Sequence, residues 1–151
     1  MSGACIQFIF VSHVVSTVAK YLTSHGGVLE LVSLDDFDSI YRNHLRGLVA
    51  VVFGRGQERL RQIDHIPVVL INNEVDAPNV HLVASDHAQG AYLAVKHLLD
   101  HGHERIGFLE ILQNAWGSRE RQSGYYKAFR EAGVRFVPDH LRFCGGLSVA
   151  G

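Results

Sequence analysis

Residues 86–111 read DHAQGAYLAVKHLLDHGHERIGFLEI, and residues 119–133 read RERQSGYYKAFREAG. Asp86 stands where a helix N-cap is expected, and Gln89 follows at the capping-box spacing. Ala91, Ala94, Val95, Leu98 and Leu99 then recur at helical intervals, and Gly102 closes the helix. Residues 105–111 form a short apolar strand. Tyr125, Ala128, Phe129 and Ala132 share one face of a second helix over 119–132, which Gly133 ends. A short apolar strand set between two helices is the building unit of a sheet covered on both faces.

The alternation continues on either side. Residues 6–11 (IQFIFV) read as a buried strand, and 14–24 as a helix with Val14, Val15, Val18, Ala19 and Leu22 on one face. Gly26 and Gly27 stop that helix. Residues 28–34 (VLELVSL) read as a second strand, 35–44 as a polar loop or short helix, and 45–53 (LRGLVAVVF) as a third strand. Residues 57–64 have amphipathic helical spacing. Residues 67–72 (PVVLIN) read as a fourth strand whose proline sits at the end, where a missing N–H costs least. Residues 80–84 read as a fifth strand, and 138–143 lead into a last one. The fold class is therefore α/β on a parallel sheet, with ligands expected beyond the carboxyl ends of the strands.

Composition narrows the function. The chain has 151 residues, 14 basic and 15 acidic, for a formal net charge of −1. A free-standing nucleic-acid binder of this size carries a basic excess, and this chain does not. Hydrophobic residues make up 47% of the chain, enough for a packed core. Cys5 and Cys144 form neither a disulfide framework nor a zinc motif. No apolar run approaches the roughly 18 residues of a membrane span. The N-terminal residues lack the pattern of a secretory signal. The expectation is a soluble, cytoplasmic protein with no membrane partner.

Residues 97–108 (HLLDHGHERIGF) and 121–133 (RQSGYYKAFREAG), with Asp86, Gly90 and Ala91 ahead of them, resemble the effector-binding region of LacI/GalR-type bacterial transcription regulators. The likeness runs over residues 45–145 and weakens before 45. It implies periplasmic-binding-protein-like (type I) lobes: a near-complete first lobe over 1–103 and the beginning of a second over 104–151. It also implies a homodimeric sensor for a small sugar-like or polyhydroxy effector held between lobes. Neither a cofactor nor catalysis is expected. DNA contact would need a helix-turn-helix segment, which this chain lacks.

The resemblance places Arg121 in the ligand cleft, where a guanidinium offers a rigid fork of donors to ligand oxygens. The competing reading is a solvated arginine at the unfavourable positive end of a helix. Trp116, Ser118 and Arg119 are read as the loop before that helix. There Trp116 either stacks on the C–H face of a sugar or plugs the loop from beneath. Gln89 aligns with a polar position near the cleft, although capping already accounts for it. Ser12 and His13 follow the first expected strand, and Asn72 and Asn73 the fourth, so all four are candidate cleft residues.

His97, His101 and His103 suggest metal binding, but nothing completes a ligand set, and no metal is expected. Gly54-Arg55-Gly56 lacks a phosphate-loop pattern and reads as a turn. No G-x-S-x-G elbow is present. The family's Asn-Pro-Phe-Phe pattern after the first strand is missing, and the chain ends where a second lobe would continue. This predicts either a piece of a longer polypeptide or self-association over exposed apolar sheet surface. Rival readings are a sugar-binding protein of a transport system, a doubly wound α/β enzyme, and a protein that only dimerises.

Overall fold

A single helix, α1 (Gly3–Ser24), fills the stretch that the sequence divides into a strand and a helix. In the computed structural model, which describes residues 3–33, 36–42, 44–52, 54–110 and 115–143, residues 6–11 form no strand. The reason lies in the pattern. Phe10, Val14, Val18 and Leu22 recur every four residues, all of them half-buried, and the row runs straight through Ser12 and His13. No glycine or proline interrupts it, so helix propagates once nucleated. The expected glycine stop does form: Gly26 has φ +75°, and the Gly27 amide donates to the Leu22 carbonyl at 2.8 Å.

Residues 28–33 form no strand either, and Leu34 lies outside the described residues. Val28 and Leu31 are 91% and 72% exposed. Strand-forming residues need a pleated, half-buried neighbour to pack on, and these two lie open to solvent.

Contacts divide the described chain into two compact units, one built on residues up to Leu70 and on Val75–His81, the other on Ile71–Glu74 and on the described residues from Leu82 to Phe143. The first unit holds the short helix α2 (Ser39–Arg42) and strands β1 (Leu48–Ala50) and β2 (Val68–Ile71). These two strands pair in parallel with Leu48 opposite Val68, and β3 (Val80–Val83) completes the order β1-β2-β3. A 3-10 helix, Gly54–Gln62, replaces the amphipathic helix expected over 57–64. Leu60 and Ile63 both point inward three residues apart, the spacing that a 3-10 turn stacks, and the Ile63 amide donates to the Leu60 carbonyl at 3.2 Å. Their core companions include Phe37, Ile40, Val68 and Leu70. The Asn79 amide group donates to the Ile63 and Ile66 carbonyls and closes this layer.

The second unit carries helices α3 (His87–Asp100) and α4 (Trp116–Ala132) and the parallel pair β4 (Phe108–Glu110) and β5 (Leu141–Phe143). Asp86 caps α3 as expected, its Oδ1 accepting from the Gln89 amide at 2.8 Å. Gly133, at φ +66°, ends α4, and the Val134 amide reaches back to the Phe129 carbonyl at 3.2 Å. Helix α4 begins earlier than the sequence suggests. The Arg119 amide donates to the Ala115 carbonyl at 3.0 Å, so Trp116, Ser118 and Arg119 form its first turn rather than a loop. The core is Val95, Ile106, Tyr125, Ala128 and Phe129, and the Tyr125 hydroxyl donates to the Ile106 carbonyl at 2.7 Å.

Helix α3 packs on α4, so contacts change unit near Leu82, whereas the sequence suggests a boundary at Gly102–His103. The two helices meet at Gly124. A Cβ there would overlap the Ala88 carbonyl and stand 2.9 Å from the Tyr92 nitrogen. Gly90, by contrast, has nothing within 4 Å of the position of its missing Cβ. Gly124→Ala is therefore expected to cost about 2–3 kcal/mol through overpacking. Gly90→Ala should instead gain about 0.5–1 kcal/mol from helix propensity. Urea unfolding followed by circular dichroism checks both.

Candidate functional site

Strand β4 alternates in the ordinary way: Phe108 and Glu110 face inward, while Leu109 is 72% exposed. Glu110, only 7% exposed, would be costly to bury without a partner. Arg121, in the second turn of α4, supplies one. Its Nε donates to Glu110 Oε2 and its Nη2 to Glu110 Oε1, both at 3.1 Å. This parallel fork is the strongest geometry an arginine–carboxylate pair adopts.

A recess of about 350 Å³ opens nearby. Leu82 and Ser85 line it from the end of β3 and the turn after it, Asp86 and His87 from the start of α3, and Trp116 and Glu120 from α4. The rings of His87 and Trp116 meet edge to face, 5.4 Å between centroids and 65° between planes. Gly117 allows this closeness. A Cβ at that position would stand 3.2 Å from His87 Nε2 and 3.4 Å from Arg121 Nη1. Burial holds the His87 imidazole below its ordinary value of 6.5, and the Arg121 guanidinium pushes it the same way. Glu120, Asp86 and Glu110 oppose the shift without reversing it, so His87 is neutral at pH 7.

Of the residues singled out from the sequence, Trp116 lines the recess. Arg121 does not line it; it lies near His87, beside Gly117, and is held by Glu110. Ser118 is 1% exposed and buried within the unit. Arg119 Nη2 stands 3.9 Å from Glu74 Oε2, both side chains more than half exposed, which makes a weak solvated pair. Gln89 is exposed and serves α3 through its backbone amide. Asn72, at φ +52°, accepts from the Ser85 amide through Oδ1 at 2.9 Å. It fixes the turn that leads into α3, as asparagine readily does in the left-handed region. Asn73 Oδ1 accepts from the Glu74 amide at 2.9 Å. Ser12 and His13 are exposed on α1, in the first unit, and follow no strand.

His87, Glu110 and Glu120 escape the sequence reading. Glu110 leaves one trace, a carboxylate at the end of an apolar strand with an arginine eleven residues on. The rings of His97 and His101 lie 4.3 Å apart, and no group of three metal-binding side chains occurs among the described residues. Among those residues no helix is long and apolar enough to cross a membrane.

Residues 34–145 match the family of periplasmic binding proteins and sugar binding domain of LacI family, and the chain belongs to that family. The HTH-type transcriptional repressor PurR of Mannheimia succiniciproducens is 31% identical over 85 residues, covering 56% of this chain and 25% of the repressor. The HTH-type transcriptional regulator GalR of Escherichia coli is 37% identical over 67 residues, covering 44% of this chain and 20% of GalR. The crystal structure of a putative ribose operon repressor from Burkholderia thailandensis superimposes with a TM-score of 0.74 at 23% identity, covering 85% of this chain and 53% of that one. That likeness supports the parallel α/β lobe architecture. In each comparison the chain spans about half of its relative or less.

Two outcomes follow from the site. Arg121→Ala should lower stability by about 2 kcal/mol. This is less than the 3–5 of a fully buried pair, because Arg121 is 37% exposed. Arg121→Lys should recover less than half of that in urea unfolding, since an ammonium cannot make the fork. His87 has a depressed value in the folded state, so its contribution is complete above 6.5 and is lost as pH falls below it. The melting temperature should therefore fall less between pH 7.5 and 5.5 in His87→Gln than in the parent.

Proposed function

We propose that this chain is the ligand-sensing part of a LacI-type transcription regulator that binds a small sugar-like effector. The observation that carries the proposal is the recess walled by Trp116 and His87, at the start of α3, in a chain of a sugar-binding domain family. An aromatic face beside polar donors and acceptors suits a sugar, which presents apolar C–H faces and a rim of hydroxyls. Arg121 does not line the recess; it acts on it through its field at His87.

The role is binding, and no catalytic step is assigned. Effector shifts the population between arrangements of the regulator, and a dimer transmits that shift to DNA. The DNA contact belongs to a helix-turn-helix part, as the names of the repressor and regulator relatives indicate for those proteins. A cytoplasmic location follows from that role. A first lobe and the beginning of a second belong to the same proposal, with the boundary drawn near Leu82, where the contacts change unit, in place of the division at 103/104, because α3 packs on α4.

A thermal-shift screen of sugars and purine bases tests this. A saturating effector, at about 100 times its dissociation constant, stabilises by about 2.7 kcal/mol, a shift of several degrees. At least one compound should produce it, and Trp116→Ala should abolish it. Absence of any shift, or a full response in that variant, contradicts the proposal.

A further inference from the structure

The charges around the recess are unequal in a way that bears on what it accepts. Asp86 and Glu120 line it, and both are carboxylates. The Arg121 guanidinium, which acts on His87, is already matched by the buried Glu110 carboxylate through two hydrogen bonds of 3.1 Å. Arg119 likewise faces Glu74, at 3.9 Å. His87 is held neutral by burial and by Arg121.

The opposing influence is helical. The positive ends of α3 and α4 both point at this region, and each is equivalent to about half a unit charge. The end of α3 is engaged by its own cap, Asp86 Oδ1 on the Gln89 amide at 2.8 Å. The end of α4 has no side-chain cap, since its N-cap is Ala115. The two ends offset part of the two carboxylate charges, and Asp86 and Glu120 leave the recess lining net negative.

We propose that this recess selects an uncharged polyol over its phosphorylated or carboxylated counterparts, with Asp86 and Glu120 as the residues that exclude anions. The selectivity rests on the ligand-sensing reading above and adds the chemical class of the ligand. Hydroxyl groups suit these partners, because they donate to carboxylates and either donate to or accept from a neutral imidazole. A phosphate brings a charge of about −1.5 to −2, and among the described residues no lysine or arginine lines the recess to meet it.

Trp116 is the only tryptophan, so its fluorescence reports on the recess. Quenching by iodide, caesium and acrylamide is compared at constant ionic strength, with N-acetyltryptophanamide as reference. Normalised to acrylamide, iodide should quench about twofold less than in the reference, and caesium more. Glu120→Gln and, separately, Asp86→Asn, which preserves the cap, should raise iodide quenching. Iodide equal to or stronger than caesium overturns the proposal.

The same emission is then titrated with glucose against glucose 6-phosphate and ribose against ribose 5-phosphate. The neutral member should bind about tenfold tighter or more. Tighter binding of a phosphate overturns the selectivity and leaves the sensor reading standing. No response to any compound of the panel, with the iodide–caesium difference intact, overturns the sensor reading and the selectivity built on it.

Discussion

Helices α3 and α4 approach backbone to backbone where Gly124 meets Ala88, and the second unit depends on that approach. A side chain at this position would force the helices apart. With the helices together, Tyr125 drops its hydroxyl onto the Ile106 carbonyl, and Val95, Ala128 and Phe129 close around it. The same approach sets the start of α3 beside the first turns of α4, which brings His87 against Trp116. One missing methyl group thus links the core of the unit to the geometry of its recess.

The second constraint is electrostatic. Glu110 is buried by the alternation of β4, and Arg121 answers it with a two-point fork. The pair turns an arginine that could hold an anion into half of a neutral unit. Its remaining field still acts on His87, which lines the recess and is kept neutral. The carboxylates of Asp86 and Glu120 line the recess, while Arg121 is engaged by Glu110.

Much of the second unit is legible in the sequence because its signals are local. Asp86 at a cap, glycines at 102 and 133, and apolar residues at helical spacing each specify backbone geometry without help from distant residues. Strands β2 and β3 fall inside the apolar runs that suggest them. Residues 6–11 and 28–33 fail for one reason. A short apolar run fits a strand or a buried helix equally well, and only its surroundings decide. The row Phe10, Val14, Val18, Leu22 carried the first into α1, and the second found no ladder. At the site, Trp116 is visible as a lone aromatic near a helix start. Glu110, Glu120 and His87 are ordinary polar residues until the crossing gathers them, and Arg121 acquires its meaning only from its partner.

Native-state hydrogen exchange tests the central claim, that α3 and α4 form one packed body. The most protected amides of α3, around Val95 and Leu99, and those of α4, around Tyr125 and Phe129, should open with the same free energy and the same denaturant dependence. Protection that persists in α4 after α3 has exchanged would contradict it.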